Sequence, residues 1–274
     1  MALNIQTNVS SLEAQIRLAS NQRALQSNFN KLASGYRVNT AADDAAGLAI
    51  SESMKSQIRS YAVAERNASD GISMAQTAEG ALGEIHGVLG RMRELAMQAS
   101  NGSLTENDRN YLNTEFGLLK EEITRIQEST EFNGMQLVGD SAQSITFQVG
   151  LHDQDSSKIT VTFGDVDLSD LDSVAIGGAD TSGALSALET IDDAIKTVST
   201  ARSNFGSAMN RLQVATSNIQ TMRLNLSAAN SRIVDVDVAE ETAKMSRNQV
   251  LSQAGVSVLA QANQIPQLAL SLLR

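Results

Sequence analysis

The chain has 274 residues, a formal net charge of −10 and no cysteine. The acidic charge disfavours nucleic acids and anionic membrane surfaces as partners, because both are negatively charged, and the lack of cysteine excludes disulfides and thiolate chemistry. Hydrophobic residues make up 42% of the chain, but aromatic residues only 3%. Since compact cores depend on large aromatic side chains, this composition favours long helices packed side by side.

The chain has no apolar stretch that reaches the roughly 18 residues of a transmembrane helix. Its first residues, Met1–Gln6, lack the basic and apolar regions of an ordinary signal peptide. Two expectations follow, a cytoplasmic protein or one exported by a route that uses no cleaved signal peptide. Composition alone leaves both open.

The first predicted element is a helix from about Asn4 to Ser34, which Gly35 is expected to end. Its apolar residues recur at steps of four and three, first in one phase and then in a shifted one: Ile5, Val9, Leu12, Ile16 and Ala19, followed by Leu25, Phe29, Leu32 and Tyr36. This spacing predicts a helix with a narrow apolar seam that contains one register slip.

A second helix is predicted from about Ala45 to Ser100, a stretch without proline. Its length of roughly 80 Å suits a helix that packs alongside other helices. After a break at Asn101-Gly102, residues 105–108 (Thr-Glu-Asn-Asp) resemble a capping box and predict the start of a third helix. Asn133-Gly134 then predicts a turn.

Residues 143–163 have the pattern of two strands. Apolar and polar residues alternate around Phe147 and again around Val161, which predicts a β-hairpin with a polar loop at 150–157. The following residues, 164–186, are rich in Gly, Asp and Ser. We expect a loop there that holds at most one more short strand.

Helix is predicted again from about Gly183. From Phe205 the apolar residues follow a heptad pattern typical of coiled coils, and they are Ala208, Leu212, Ala215, Ile219, Met222, Leu226, Ala229 and Ile233. A break near 235–237 precedes a final helix. Its last part, 256–273, is apolar on nearly all sides and contains the only proline, Pro266, which should kink or loosen the helix.

These elements predict a mainly α fold: a long antiparallel helical bundle or coiled coil formed by the N- and C-terminal halves, with a small β-hairpin insert. We expect a terminal coiled-coil domain formed by residues 1–42 together with 234–274. A second domain of long helices should span residues 43–233, with the β insert at about 135–183.

Both chain ends carry apolar helices, and exposed apolar surface costs about 25 cal/mol per Å². We expect the two ends to be covered by each other and by neighbouring copies, in head-to-tail contacts that form an open filament. The alternative is that the ends simply bury each other within a monomer. The expected polymerisation residues are Ile5, Val9, Leu12, Ile16, Leu25, Phe29, Leu32, Leu251, Val258, Leu259, Ile265, Leu268 and Leu272.

Several sequence motifs at both ends match one known family. In the N-terminal half they are Leu32–Asn39, Asp43–Gly47, Arg66–Ser73, Ala75–Leu82, Arg93–Ala96 and Glu131–Gly134. In the C-terminal half they are Asn230–Ile233, Met245–Arg247, Gln253–Gln264, Pro266–Gln267 and Leu270–Arg274. With these motifs in this order, the chain resembles bacterial flagellin over nearly its whole length.

The resemblance implies a structural subunit that polymerises with itself into the flagellar filament used for motility, with no cofactor. It implies that both termini form the inner tube of the filament. It also implies an extracellular protein, exported unfolded through the flagellar type III apparatus with an export chaperone, whose further partners are the filament cap and junction proteins. Because only about fifty residues separate Gly134 from Gly183, the large outer domains of many family members should be absent or vestigial.

A hook-filament junction protein is the alternative within structural proteins, because such proteins resemble flagellin near the N-terminus. The C-terminal motif 253–264 argues against it. An enzyme within residues 135–183 is a second alternative, but it would need titratable residues that converge in a pocket. That segment offers one histidine, several aspartates and little apolar lining.

The resemblance also implies a surface for the Toll-like receptor that recognises flagellin, formed by Arg91, Leu95 and Glu115. The same segment would stack neighbouring subunits in the filament. Four glycines precede it at helical spacing, and each costs a helix about 1 kcal/mol relative to alanine; they are Gly80, Gly83, Gly87 and Gly90. They indicate either close approach by a neighbouring helix or sequence drift without a role.

Catalytic and metal-binding patterns are not recognisable. The two histidines, His86 and His152, belong to no His-Glu-x-x-His motif. Asp153 begins a segment similar to a calcium loop, but Lys158 stands where that loop needs glycine and Gly164 where it needs glutamate. We therefore expect no metal site.

Overall fold

The computed structural model describes residues 7–272 and the side chains of residues 7–264. Within these residues, the helices are α1 (Val9–Ser34), α2 (Ala45–Ala99), α3 (Glu106–Ser129), α4 (Ser182–Val234) and α5 (Val238–Leu272). The strands are β1 (Glu131–Phe132), β2 (Met135–Gln136), β3 (Gln143–Gln148) and β4 (Lys158–Phe163). The predicted mainly α fold, built from long helices with a small β insert, is confirmed.

Local capping chemistry sets the ends of α1 and α3. The predicted start of the first helix near Asn4 is wrong: α1 begins at Val9, where the Asn8 Oδ1 caps it by accepting from the Ser11 N–H at 3.1 Å. Gly35 ends α1 in the left-handed conformation (φ 75°), and its N–H donates to the Lys31 carbonyl. Thr105 and Asp108 form the predicted capping box of α3, in which the Thr105 Oγ1 accepts from the Asp108 N–H and the Asp108 carboxylate accepts from the Thr105 N–H. The helix boundaries thus follow from residues close to each end.

The β insert contains two hairpins, whereas the sequence predicted one hairpin and a turn. Strands β1 and β2 pair in antiparallel fashion across Asn133 and Gly134, with Phe132 opposite Met135. Both turn residues have positive φ, 51° and 75°. This is the conformation of a type I′ turn, which favours asparagine followed by glycine.

Strands β3 and β4 form the predicted hairpin, with Phe147 opposite Ile159. The segment 164–186, expected to be a loop with at most one more short strand, forms no strand and instead contains a 3₁₀ helix at Ser169–Ser173 before α4 begins at Ser182. The Asp167 carboxylate accepts from the Ser169 N–H at 2.9 Å. This side-chain turn is an alternative to strand pairing for the local backbone.

The chain divides into two compact units. The terminal unit comprises residues 1–56 and 225–274, and the central unit comprises residues 57–224. Helices α2 and α4 each contribute to both units. The domain limit predicted at 42/43 lies in the break before α2, the limit predicted at 233/234 lies one residue before the end of α4, and this division stays a prediction.

The hydrophobic core of the central unit lies among α2, α3, α4 and the hairpins. Its largest fully buried side chains include Leu82, Ile85, Leu89, Met92, Leu95, Phe116, Phe163, Ile191 and Leu212. Phe163 of β4 packs against Phe205 of α4, with ring centroids 5.3 Å apart. This contact attaches the second hairpin to α4.

A buried arginine that the sequence pattern did not reveal holds the segment before α4. Arg109 is only 5% exposed. Its guanidinium donates to the carbonyls of Gly178 at 2.8 Å, Ala179 at 2.7 Å and Leu104 at 3.0 Å. Arg109 thereby satisfies three backbone carbonyls and ties an otherwise irregular loop to α3.

Candidate assembly surface

Helices α1 and α5 of the terminal unit pack against each other in antiparallel fashion. Near the start of α1, the Asn8 Nδ2 donates to the Ala262 carbonyl at 2.8 Å, and the Ser11 Oγ donates to the Asn263 Oδ1 at 2.7 Å. Further along, the Asn21 Nδ2 donates to the Asn248 carbonyl at 2.8 Å. These bonds hold one register along the pair.

The α1 residues that face α5 form a seam, which we call the polar seam. They are buried or half-buried at alternating steps of three and four, and they are Ser11, Ala14, Leu18, Asn21, Leu25, Asn28 and Leu32. The two most buried members are polar, since Ser11 is 6% and Asn28 7% exposed. Sequence reasoning missed this seam, although its regular heptad spacing is visible once polar residues are counted with apolar ones.

Helix α5 presents a matching seam at the same spacing: Glu241, Met245, Asn248, Ser252, Gly255, Leu259 and Ala262. It too consists mainly of small or polar residues. A Cβ added at Gly255 would lie 3.4 Å from the Leu18 Cδ1. The Leu18 side chain therefore packs over Gly255, at ordinary van der Waals distance from the position that a Cβ would take.

Most of the predicted apolar residues of α1 lie outside this seam. Val9, Leu12 and Ile16 are 60%, 54% and 61% exposed. Each precedes a seam residue by two positions, and two residues correspond to roughly 200° of rotation about a helix. These three residues, the apolar stripe, thus lie nearly opposite to α5.

The remaining predicted residues of α1 divide between the two faces. Phe29 is 60% exposed, whereas Leu25 and Leu32 are half-buried members of the polar seam. The register slip inferred from the sequence lies between the exposed Ile16 and the half-buried Leu25, and after it Leu25 and Leu32, though not Phe29, lie in the seam. It is a change of face within one continuous helix, which runs unbroken from Val9 to Ser34.

On α5, the predicted residues Leu251 and Val258 are also exposed, at 52% and 54%, while Leu259 is half-buried in the seam. Leu251 and Val258 line a groove of about 670 Å³ together with Ala14 and Leu18 of α1. The alternative in which the two ends bury their apolar residues against each other therefore does not fit the described side chains.

Four of the predicted polymerisation residues fall outside what the structure describes. Ile5 precedes the described residues, and the side chains of Ile265, Leu268 and Leu272 follow the described ones. Helix α5 continues past Pro266 to Leu272, so this proline does not end the helix.

The segment that follows α1 and the segment that precedes α5 are joined by backbone hydrogen bonds. The Arg37 N–H donates to the Val234 carbonyl at 2.6 Å, and the Val236 N–H donates to the Gly35 carbonyl at 3.0 Å. Val38, beside this junction, is only 3% exposed. Both helices of the pair are thus anchored at the same end.

The three residues expected to form the receptor surface lie in the central unit, and they differ in exposure. The Arg91 guanidinium contacts the Glu115 carboxylate at 2.8 Å, and both side chains are about half exposed. Leu95 is 1% exposed, so its expected place on this surface is wrong. It follows Met92 on the buried stripe of α2, and its side chain packs in the core.

The four glycines that precede Arg91 have open space around them. A Cβ added at Gly80, Gly83, Gly87 or Gly90 would meet no atom within 4 Å. Within the described part of the chain, therefore, these glycines accommodate no closely packed neighbouring helix.

The described residues contain no group of three or more His, Cys, Asp or Glu side chains able to hold a metal ion. Asp153, from the segment similar to a calcium loop, instead pairs with Lys158. As for membranes, no helix within residues 7–272 combines the length and apolar character required to cross one.

Comparison with known proteins places both halves of the chain in one family. Residues 5–143 match the bacterial flagellin N-terminal helical region, and residues 188–273 match the bacterial flagellin C-terminal helical region. A flagellin of Halalkalibacterium halodurans is 44% identical over 272 residues, covering 98% of this chain and 99% of that protein. A flagellin of Bacillus subtilis is 40% identical over 304 residues, covering 99% and 100%.

A solved structure of a putative flagellar hook-associated protein from Vibrio parahaemolyticus has a TM-score of 0.60 and 16% identity. The match covers 70% of this chain and 100% of that one. At this identity it shows a shared fold alone, and it does not favour the junction-protein alternative. The two flagellin regions are separated only by residues 144–187, so no large outer domain is present. The chain belongs to the bacterial flagellin family, and it is a structural subunit of the flagellar filament rather than an enzyme.

Proposed function

We propose that copies of this chain polymerise through the outer faces of α1 and α5. The observation that carries the proposal is the exposure of the apolar stripe, Val9, Leu12 and Ile16, together with Leu251 and Val258 on α5. Monomeric proteins rarely keep such apolar surface in water, and large apolar patches mark interaction sites. Neighbouring copies would bury these side chains.

Within the filament, residues 1–42 and 234–274 would form the inner tube, and residues 43–233 the surrounding shell that carries the hairpins. The C-terminal part of α5 would lie nearest the filament axis, because 256–273 is apolar on nearly all sides. The resulting filament would serve motility. The resemblance to flagellin supports this arrangement.

Export through the flagellar type III apparatus, with an export chaperone and no cleaved signal peptide, completes the proposal. The filament cap and junction proteins would be the partners at the two filament ends. This route accounts for the extracellular position of a flagellar filament.

The test is polymerisation of the purified protein, seeded with filament fragments and observed by electron microscopy. The full chain should elongate the seeds. A variant that ends at Val256 should stay monomeric while circular dichroism shows that most of its helix content persists, because the core of the central unit lies within residues 57–224. Normal filaments formed by the shortened variant would refute the role of the terminal helices.

Binding of the free monomer to the Toll-like receptor for flagellin is a second proposal. It is supported by the exposed pair Arg91 and Glu115, which lie on different helices and contact each other. Arg91→Asp should lower monomer affinity for the receptor, since it reverses one charge of this pair. Arg125→Asp, on the exposed face of α3, is the matched charge reversal. Equal affinity of the Arg91→Asp and unsubstituted proteins would count against the proposal.

A further inference from the structure

The central unit contains two Asn-Gly pairs, Asn101-Gly102 and Asn133-Gly134. An asparagine followed by glycine can lose its side-chain amide without an enzyme, because a residue without a Cβ lets its backbone nitrogen approach the asparagine Cγ closely. Exposure does not distinguish the two pairs, since all four residues are exposed. The backbone conformation in which each pair is held does distinguish them.

Asn133 and Gly134 are held in the type I′ turn between β1 and β2. Both have positive φ, 51° and 75°, and the strand pairing beside them, with Phe132 opposite Met135, fixes this conformation. Phe132 and Met135 also pack against the hydrophobic core. Deamidation passes through a five-membered cyclic imide, whose asparagine ψ differs from that of a type I′ turn. Asn133 can therefore react only after the hairpin opens.

Asn101 and Gly102 lie in the short connection between α2, which ends at Ala99, and α3, which begins at Glu106. Among the described residues, the Gly102 N–H has no hydrogen-bond acceptor, and a Cβ added at Gly102 would meet no atom within 4 Å. The Asn101 carbonyl accepts from the Leu104 N–H at 3.3 Å, which is a long hydrogen bond. The Gly102 nitrogen is thus free to turn towards the Asn101 side chain.

The side chain of Asn101 is also placed for this reaction. Its Oδ1 accepts from the Ser103 N–H at 3.1 Å, which closes a turn around Gly102. This oxygen stays on Cγ and gains negative charge when the glycine nitrogen attacks. The hydrogen bond from Ser103 can therefore persist during ring closure and stabilise the developing charge.

We propose that Asn101 is a site of spontaneous deamidation and that the β1–β2 turn protects Asn133. The Gly102 nitrogen forms a bond to the Asn101 Cγ, and its proton passes by way of water to Nδ2. The bond between Cγ and Nδ2 breaks, and Nδ2 leaves as ammonia. Water then adds to one of the two carbonyl carbons of the cyclic imide and opens it. The products are aspartate and isoaspartate, in which the main chain runs through Cβ and Cγ.

Either product places a new carboxylate just after the C-terminal end of α2. This end of a helix carries partial negative charge, so the carboxylate should weaken the last turn of α2. It also adds one negative charge to a chain whose net charge is already −10. Because the reaction consumes only water, the modified fraction should increase with the age of the protein. The inference is independent of the proposed function.

Peptide mapping of the full chain, after increasing times in mildly alkaline buffer, tests the proposal. Trypsin separates the two sites into the peptides 94–109 and 126–158. Mass spectrometry measures the conversion of each peptide, and fragment ions distinguish Asn101 from Asn107. Because an open hairpin is a minor state of about 10% or less, Asn133 should convert at least about tenfold more slowly than Asn101. In urea, where no hairpin remains, the two sites should convert at similar rates.

Gly102→Ala tests whether the Gly102 nitrogen is the attacking atom. Gly102 does not have positive φ and has open space around it, so the alanine should leave the thermal midpoint unchanged. Its Cβ should hinder the approach to Cγ and slow the conversion of Asn101 several-fold, with less isoaspartate formed. Gly87→Ala, at another exposed glycine with open space around it, is the matched control and should change conversion at neither site.

Three outcomes would overturn the inference. In the first, Asn133 converts as fast as Asn101 in the folded chain, so that the turn gives no protection. In the second, Asn101 stays intact in the folded chain over times in which it converts in urea. In the third, Gly102→Ala converts at the rate of the unsubstituted chain, which would exclude attack by the Gly102 nitrogen.

Discussion

Replacing Ile16 by alanine separates assembly from folding, because its side chain is 61% exposed in the monomer. The substitution removes three carbons, each worth about 0.8 kcal/mol when buried. Assembly can contribute only the burial free energy of the side-chain surface that is still exposed in the monomer. Scaled by the 61% exposure, the loss is about 1.5 kcal/mol per subunit. Since about 1.4 kcal/mol corresponds to tenfold in an equilibrium constant, the critical concentration should rise about tenfold.

The assay measures the unpolymerised protein that remains at equilibrium with seeded filaments after sedimentation. Alanine is the better helix former, so the thermal midpoint of the Ile16→Ala monomer should stay the same or rise slightly. Gln22→Ala, at an exposed polar position of α1, is the control and should change neither quantity. An unchanged critical concentration for Ile16→Ala would show that neighbouring copies do not bury the apolar stripe.

Three further predictions concern the central unit. Thr105→Ala removes the hydroxyl that accepts from the Asp108 N–H; it should cost about 1 kcal/mol and lower the thermal midpoint by about 2–4 °C. The Arg93 guanidinium lowers the pKa of Asp192 below its ordinary 3.8. The ion pair therefore stabilises the fold at pH values above 3.8, and this stabilisation is lost as the pH falls through the lowered pKa. Asp192→Asn should consequently reduce the fall of the thermal midpoint on acidification. Arg109→Ala leaves three carbonyls unpaired and should cost at least about 2 kcal/mol, with amide hydrogen exchange increased first around residues 176–181.

Features that depend on a few neighbouring residues were predictable from the sequence. Gly35 ends α1 because a left-handed residue there costs glycine little. Asn133-Gly134 forms a two-residue turn for the same reason, since both positions have positive φ. The capping box at Thr105 likewise requires only residues within one turn of the helix. In each case the energetics are local, so the sequence contains the whole cause.

The burial of particular side chains was less predictable, because it depends on distant partners. Leu95 is four residues from the exposed Arg91 and was expected on the same face, yet it is 1% exposed. Positions four apart on a helix differ by about 40°, so they can fall on either side of the boundary between core and surface. Arg109 was overlooked because its carbonyl partners Gly178 and Ala179 lie about seventy residues away.

The apolar pattern of α1 shows what helical periodicity alone does not predict. Steps of four and three correctly predict a helix with an apolar stripe, but they do not say what covers it. In a monomer that buries its own apolar residues, Val9, Leu12 and Ile16 would contact α5. Here Ser11 and Asn21 make polar contacts with α5 instead, and the apolar side chains stay in water.

This arrangement, with polar residues against α5 and apolar residues on the outside, has a thermodynamic consequence for a filament subunit. A pair of helices that buried its largest apolar residues internally would be more stable alone and would gain less from joining a filament. The polar seam leaves that gain for assembly, because the burial of Val9, Leu12 and Ile16 then requires a second copy. Terminal helices arranged in this way should therefore be stabilised more by polymerisation than the central unit, whose core is already closed in the monomer.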